Sequence, residues 1–423
     1  MLDIKFIKEN KELITDAARK KKIKFDVSEL LKADDKRKEL LTSIEKMRAE
    51  QNEVSFRIPQ LKDATQKTEL FSEMKILKEK MQKEEEKLKA VMKEWQDLML
   101  AVPNIPDISV PEGKDESENV QVATWGEIPK FNFKVLDHAE LMLKHDMVDF
   151  VRGTKAHGFR GYFLKNDGAN LTWAIWNYAR DFFGPKSFNP FIAPAIVKRE
   201  HFYGTGHLPR ESEDLFKTQD DDFLSGTAEV PMMAYHSGEV LKADELPKRY
   251  LAFSPCYRRE AGSYSKDTRG LIRVHEFFKL EQLIICKADH NESVKYHEEV
   301  NRNFEEFLES LGLPYRRLLI CCGDLGQSKV KQYDTEAWFP FPNAYRELSS
   351  ASYYHDFQTR RFNIRYDDNG KKLVTHSLNC TAAATPRLLS CIVENYQQAD
   401  GSIKIPEVLR KYMGGAEFIK KLK

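Results

Sequence analysis

The chain has 423 residues, with 67 Lys plus Arg against 66 Asp plus Glu and 41% apolar residues. That length allows two or three domains with a substantial core, and the near-zero net charge excludes a chain-wide polybasic binder while leaving room for a local basic face. Aromatic residues at 11% exclude wholesale disorder, and no run approaches the roughly 18 apolar residues of a membrane span, so no membrane partner is expected.

The N-terminal stretch Met1 to Asn10 alternates charge with hydrophobe. It has no signal-peptide core and is too acidic for a transit peptide, so a cytoplasmic location is expected. Between Leu30 and Leu100 there is no Gly and one Pro, Pro59. Leu40, Met47, Val54 and Leu61 recur every seven residues, with Ile44 and Ile58 beside them and Gln51 as the polar exception. Leu70, Leu77, Val91 and Leu98 keep a second register, interrupted by Glu84, and Met74, Met81, Leu88 and Trp95 fill the other. Two apolar seams at a 3.5 period predict an antiparallel helical hairpin, a coiled-coil arm. Thirty helical residues rise about 45 Å. Pro59 should end or kink the first helix, which makes Asp63-Ala64-Thr65-Gln66 the expected tip. Arg57, Lys62 and Lys67 near it would suit nucleic-acid phosphates, although a charged helix face is more often simple solvation.

Pro103, Pro106 and Pro111 precede the acidic stretch Glu112 to Asn119, which reads as a linker. The expected division is residues 1–102, a linker over 103–120, and a second domain over 121–423. In that domain the pattern predicts helices at Asp137–Asp146, Ala169–Phe183 and Asn291–Leu311. It predicts strands at Asn189–Ala195, Tyr250–Tyr257, Val274–Cys286 and Arg316–Cys322. Such a series implies an α+β fold on an antiparallel sheet. Only ten residues follow Met413, so no further C-terminal domain is expected. The cysteines Cys256, Cys286, Cys321, Cys322, Cys380 and Cys391 contain no CxxC pair. They read as reduced, buried thiols, and without a Cys/His ligand cluster no zinc is expected.

Chemistry concentrates between Phe253 and Ile285. Pro255-Cys256-Tyr257-Arg258-Arg259-Glu260 leads into a loop with Gly262, Ser263, Lys266, Asp267, Arg269 and Gly270. Arg273-Val274-His275-Glu276-Phe277-Phe278-Lys279-Leu280-Glu281 follows. On regular strands Arg258 and Glu260 share a face, and so do Arg273, His275, Phe277, Lys279 and Glu281. Guanidinium groups, carboxylates and a Phe ring on one face can hold a nucleotide: Arg forks onto phosphate, an aromatic stacks on a base, and a carboxylate accepts from an amine. The plain alternative is a surface hairpin with cross-strand ion pairs.

These two stretches resemble motif 2 of the class II aminoacyl-tRNA synthetases, and in detail the seryl-tRNA synthetase family. The resemblance extends along nearly the whole chain. The N-terminus and the helical hairpin resemble that family's tRNA-reaching arm. Thr227-Ala228-Glu229-Val230-Pro231 resembles its serine-binding segment, and Tyr345-Arg346-Glu347-Leu348-Ser349-Ser350 its metal and ATP segment. Leu378-Asn379-Cys380-Thr381 through Arg387, with Glu394-Asn395-Tyr396-Gln397, resembles motif 3. Pro194 marks motif 1, the dimer-forming strand. Several motifs in the correct order are far more specific than one.

The resemblance implies a class II catalytic domain that binds ATP and Mg²⁺, activates L-serine and loads tRNA(Ser) as a homodimer, with selenocysteine tRNA left open as a second acceptor. It assigns Arg258 to the α-phosphate and the serine carboxylate, and Arg387 to the adenine face and the γ-phosphate. Arg259, Leu348 and Ser349 fall within its ATP segments. Glu260 would accept from the adenine amine, Phe277 would stack, and Val274 would lend a backbone contact. Glu347 and Ser350 would hold Mg²⁺. Glu281 and Thr227, with Ala228 and Glu229 adjacent, would read the serine ammonium. Asn379 and Thr381 would read its hydroxyl. His275 reads as a structural hydrogen-bonder, and His207 as shaping a loop near the site. Glu276, where the family often has Gln, should point away from the base. Pro386 places the start of a helix beside Arg387. Two alternatives remain: an inactive paralogue that binds RNA or protein, which would be expected to lose Arg258, Glu281, Glu347 or Arg387, and a ligase loading a carrier protein, which would not need the arm.

Overall fold

A computed structural model describes residues 1–210, 212–262, 267 and 269–420. Ser263 and Lys266 of the polar loop lie outside the described residues. The chain divides into two compact units, Met1–Pro103 and Asn104–Lys423.

The first unit is helical. Helices α1 (Ile4–Glu9) and α2 (Lys11–Lys20) precede two long ones, α3 (Val27–Arg57) and α4 (Ala64–Ala101). At 1.5 Å per residue the long pair measure about 46 and 57 Å. Each begins on an aspartate whose carboxylate accepts a backbone N–H two residues on: Asp26 from Ser28 and Asp63 from Thr65. Pro59 ends α3, and the chain passes through a short 3₁₀ turn at Ile58–Gln60. The tip is therefore 58–63, not 63–66. Asp63 caps the second helix, so Ala64, Thr65 and Gln66 already lie in its first turn.

The contacts run antiparallel. Arg48 pairs with Glu85 at 2.7 Å, and the Arg37 guanidinium lies 4.7 Å from the Trp95 ring centre, so the position rises on one helix as it falls on the other. Leu40, Ile44 and Met47 on α3 and Val91 on α4 are buried along the seam. Arg57 and Lys62 are exposed, and Lys67 is half-buried.

Asp34 of α3 is the electrostatic anchor of this unit. Its side chain is fully enclosed, with Lys8 Nζ at 3.1 Å, Arg37 Nη2 at 2.8 Å and Lys38 Nζ at 2.9 Å. Burial would raise its pKa, but the hydrogen bonds from Lys38, Arg37 and Lys8 outweigh it and hold the carboxyl at about 2.

In the second unit the proline-rich stretch expected as a linker lies on the fold from Asn104 onward. Asn104 donates to the carbonyls of Ser328 and Tyr354, Asp107 accepts from the Tyr353 hydroxyl, and the Pro111 carbonyl accepts from the Cys322 N–H. Eight strands build the main sheet: β1 (Val120–Trp125), β2 (Asn189–Ile192), β3 (Lys248–Tyr257), β4 (Glu276–Cys286), β5 (Tyr315–Leu319), β6 (Lys331–Phe339), β7 (Ala344–His355) and β8 (His376–Thr385). Their order is β1-β5-β6-β7-β8-β4-β3-β2. Every pair is antiparallel except β2 with β3. The expected α+β architecture is what the chain adopts. Helices α5 (Asp167–Phe183), α6 (Arg199–Thr205), α7 (His290–Ser310) and α8 (Arg387–Asn395) accompany the sheet.

Strand β4 shows how the layers divide. Leu280, Ile284 and Cys286 on one face join the main core with Val300, Phe304 and Phe307 of α7 and Leu389 and Ile392 of α8. Each fully buried side chain of this size stabilises the fold by about 1.5–3 kcal/mol. On the other face, Leu283 and Ile285 enter a smaller cluster with Tyr250 and Ala252, while Phe277, Lys279 and Glu281 line a cavity. All six cysteines are buried thiols outside any disulfide. Among the described residues no helix is long and apolar enough to cross a membrane.

Replacing Asp34 by Asn should loosen the first unit. The depressed pKa means that Asp34 contributes stability above its unfolded value near 3.8, and that this is lost as pH falls towards about 2. The contribution is about 2 kcal/mol. Hydrogen exchange of α3 amides around residue 34 should therefore accelerate at neutral pH in Asp34→Asn. Equal protection in both proteins would refute the anchor.

Candidate active site

A cavity of about 360 Å³ opens on the sheet face opposite the main core. The β3–β4 hairpin supplies its centre. The two strands pair in unbroken register from Tyr257 opposite Glu276 to Lys248 opposite Ile285. Just past the paired residues, the Arg258 N–H bonds to the His275 carbonyl, which fixes where the Arg258 side chain leaves the sheet. Its guanidinium lies 5.3 Å from the centre of the Phe277 ring. Gly226 lies against it: a Cβ there would stand 3.2 Å from Arg258 Cγ and Nε.

Two β-bulges set which residues of β7 and β8 face the cavity. On β7 the register passes from Thr335 opposite Ser349 to Glu336 opposite Glu347, so Leu348 is the extra residue. The insertion puts Glu347 and Ser350 on one face despite their odd spacing. On β8, Ala382 is the extra residue between Thr381, opposite Glu281, and Ala383, opposite Leu280. Asn379, Thr381 and Ala384 thus all reach the cavity.

At one end guanidinium groups gather. Arg387, the first residue of α8 after the cap residue Pro386, donates from Nη1 to the Glu347 carbonyl at 2.7 Å and from Nε to the Ile272 carbonyl at 3.3 Å. Burial lowers its pKa, and the Glu347 carboxylate opposes that shift. Arg273 holds Glu260 at 3.1 Å and Asp267 at 3.4 Å, and Arg346 reaches Asp267 at 3.0 Å.

The other end is polar and enclosed. Glu281 has only 3% side-chain exposure and meets Lys279 Nζ at 2.7 Å. Burial raises its pKa, with Lys279 pulling the other way. Glu229 accepts from the Gln358 amide at 2.6 Å, Thr227 Oγ1 accepts from the Glu229 N–H, and the Tyr354 hydroxyl donates to Asn379 Oδ1. Burial also pushes the Tyr354 hydroxyl well above the usual phenol range.

Arg258, Glu260, Val274, Phe277, Glu347, Leu348, Ser350, Arg387, Thr227, Glu229, Glu281, Asn379 and Thr381 all line this one cavity. Three of the expected residues do not. Ser349 is buried, its hydroxyl donating to the Thr381 carbonyl, because it alternates with Ser350. Ala228 is packed in the smaller apolar cluster. Arg259 is exposed, and its N–H bonds to the Asp214 carbonyl. Glu276 also stays off the wall, accepting from the Tyr257 hydroxyl. His275 does not reach the cavity either; its ring contacts His157, Phe159 and Phe216. The sequence reading overlooked Tyr354 and Ser352 of β7, together with Ser328, Lys329 and Asp214, as lining residues. Had β7 been identified as a strand, the parity of Ser350, Ser352 and Tyr354 would have found two of them.

The fold and cavity define a class II aminoacyl-tRNA synthetase core: residues 215–396 match the family model described as the tRNA synthetase class II core domain (G, H, P, S and T). Residues 1–106 match the seryl-tRNA synthetase N-terminal domain, and the chain belongs to the seryl-tRNA synthetase family. It is 42% identical to the serine–tRNA ligase of Deinococcus radiodurans, covering 99% of both chains. Against that of Thermodesulfovibrio yellowstonii the identity is 43%, over 98% of this chain and 99% of the relative. Among solved structures it is similar to the seryl-tRNA synthetase of Pyrococcus horikoshii complexed with ATP, with a TM-score of 0.90, 36% identity and full coverage of both chains. It is also similar to the cytoplasmic enzyme of Naegleria fowleri in complex with AMP, with a TM-score of 0.86 and 33% identity over 100% of this chain and 99% of that one.

The Lys279–Glu281 pair yields a stability prediction. Lys279→Met leaves a buried carboxylate without its cation, a change that costs about 3–5 kcal/mol. Guanidinium unfolding should show that loss. A midpoint within experimental error of the unaltered protein would mean that the carboxyl is held by something else.

Proposed function

We propose that the chain activates L-serine with ATP and transfers the seryl group to the 3′ end of tRNA(Ser). One observation carries this reading most directly: Arg258 stands over Phe277 between a guanidinium-rich end and an enclosed polar end of a single cavity. The first suits a nucleotide triphosphate, the second a small zwitterion with a hydroxyl.

In the first step the serine carboxylate attacks the ATP α-phosphorus in line, and pyrophosphate leaves. Arg258 opposes the negative charge that grows on the α-phosphate, and a guanidinium already in place does so without reorganising. Phe277 takes one adenine face and Arg387 the other. Glu260 accepts from the adenine amine, exchanging part of its pairing with Arg273. Val274 contributes a backbone contact, and Leu348 packs beside the base. Arg259 and Ser349 support this segment through their backbones.

Glu347 and Ser350 are the residues that would hold Mg²⁺. Both offer hard oxygen donors on the same wall, beside Arg387. Among the described residues no group of three or more His, Cys, Asp or Glu could hold a metal by themselves, so substrate phosphates would complete the shell. Bound there, the ion would neutralise phosphate charge.

Glu281 and Thr227, with Glu229 beside them, receive the serine ammonium, and Ala228 packs beneath this segment in the smaller apolar cluster. Asn379 and Thr381 read the hydroxyl. Alanine leaves those polar groups unpaired and is rejected strongly, whereas threonine is excluded by size.

The arm supplies tRNA choice, with Arg57, Lys62 and Lys67 at phosphates. We also propose a homodimer that works in the cytoplasm. Ile192 on the sheet's edge strand is 85% exposed and Ile196 beyond it 60%, flanking Pro194, which supports an apolar subunit contact along that edge.

Amino-acid-dependent ATP–pyrophosphate exchange tests the reading. Serine should stand far above the other nineteen amino acids without tRNA present, and Arg258→Ala should lower the exchange by about 10²–10³. Exchange with no amino acid, from folded protein, would favour an inactive paralogue. Glu347→Gln should raise the Mg²⁺ concentration needed for half-maximal exchange; an unshifted requirement would remove Glu347 from the metal.

A further inference from the structure

We propose that His207 accepts the proton of the terminal ribose hydroxyl of tRNA when the seryl group is transferred. The inference rests on the synthetase reading above and extends it to the second step.

His207 follows helix α6 in a short loop and lines the cavity. The N–H groups of Gly206 and Leu208 both bond to the Phe202 carbonyl, at 3.2 and 3.1 Å, which holds the loop against the helix. The ring leans on Phe202. The same turn is tied to the polar end of the site. Gln358 donates to the Thr205 carbonyl at 3.3 Å and to Glu229 Oε1 at 2.6 Å.

Nδ1 lies 2.7 Å from Thr205 Oγ1, and that hydroxyl lies 3.3 and 3.4 Å from the carbonyls of Phe202 and His201. We assign the threonine's single proton to one of these carbonyls, the back-bond that a helical threonine can make. Oγ1 then accepts from Nδ1–H, and the lone pair falls on Nε2. Among the described residues Nε2 has no hydrogen-bond partner.

Among the described residues, four of the other acidic side chains of the cavity are engaged. Glu229 accepts from Gln358, Glu281 meets Lys279, Glu260 meets Arg273, and Asp214 accepts from the Ala261 N–H. Glu347 stands at the guanidinium end beside Arg387. Among the described residues His207 is thus the one imidazole on the cavity wall, and its Nε2 is not engaged by another side chain.

The step balances. The ribose hydroxyl oxygen bonds to the seryl carbonyl carbon. The bond from that carbon to the adenylate phosphate oxygen breaks, and AMP leaves with the electron pair. The hydroxyl proton passes to Nε2, and the imidazolium returns it to water.

Single-turnover transfer from preformed seryl-adenylate to tRNA(Ser), followed by rapid quench from about pH 5.5 to 8.5, tests the assignment. Serine-dependent pyrophosphate exchange is measured in parallel. His207→Gln keeps a polar side chain of similar reach but offers no basic nitrogen. The ratio of transfer to exchange should fall about 100-fold, and the acidic limb of the transfer profile should vanish. In His207→Ala, added imidazole should restore part of the transfer rate, which a purely structural role would not allow. Transfer that keeps its rate and its acidic limb in His207→Gln overturns the proposal. So does an equal fall in exchange and transfer, which would make His207 a substrate-binding group with Nε2 protonated. The unaltered protein separates the two layers: without serine-dependent exchange the synthetase reading fails and this proposal with it, whereas with exchange the ratio alone decides.

Discussion

Strand β4 has a neighbour on each side, and the site depends on that constraint. A central strand cannot turn its unwanted side chains to an edge. Leu280, Ile284 and Cys286 fill the main core. Of the alternate residues, Phe277, Lys279 and Glu281 face the cavity, and there Lys279 and Glu281 are enclosed enough to need each other. Their contact at 2.7 Å makes the burial tolerable. The result is a polar floor held by the ladder itself, with β8 on one side placing Asn379 and Thr381 and β3 on the other delivering Arg258.

The ion pairs of the site differ in kind, and the difference matches what must stay and what must yield. The Lys279–Glu281 contact is nearly inaccessible, so breaking it is expensive. The pairs of Arg273 with Glu260 and Asp267, and of Arg346 with Asp267, are partly open to solvent. Pairs of that sort contribute at most about 1 kcal/mol each. They hold guanidinium groups near where phosphates would arrive, yet an incoming phosphate can displace a carboxylate at little cost. Arg387 is oriented mainly by two backbone carbonyls, at 3.3 and 2.7 Å, with the Glu347 carboxylate farther off at 3.9 Å. Its position survives that exchange.

Much of this was legible in the residues. The heptads of the arm, its break at Pro59, and the strands of the β3–β4 hairpin follow from period and from proline geometry. Helix ends were less so: the tip moved towards Pro59 because Asp63 is a cap, a role that depends on one carboxylate reaching one N–H. Strands β6, β7 and β8 were not readable as strands. The cavity faces of β7 and β8 carry Ser, Asn and Thr where a buried strand normally shows aliphatic residues, β6 mixes Lys, Gln, Asp and Glu with its apolar residues, and two bulges break the alternation. The β7 bulge decides that Glu347 shares the cavity face with Ser350, while Ser349 alternates inward. The motif assignments placed both serines in the right segment, but only the register separates them.

The state of His207 is the least legible feature of all, because it is decided by a neighbour's hydrogen bond. A histidine after Gly206 says nothing about which nitrogen is bare. The proposed protonation rests on Thr205 at the end of α6, whose hydroxyl lies within reach of two helix carbonyls and of Nδ1. This arrangement gives the two reaction steps different chemical needs within one cavity. Adenylate formation calls for fixed positive charge and positioning, since the attacking carboxylate carries no proton to lose. Acyl transfer must remove a proton from a hydroxyl, and fixed guanidinium groups cannot accept it. With the carboxylates of the serine end engaged, the proposed base belongs at that end, where the ester bond forms, and Glu347 stays with the phosphates.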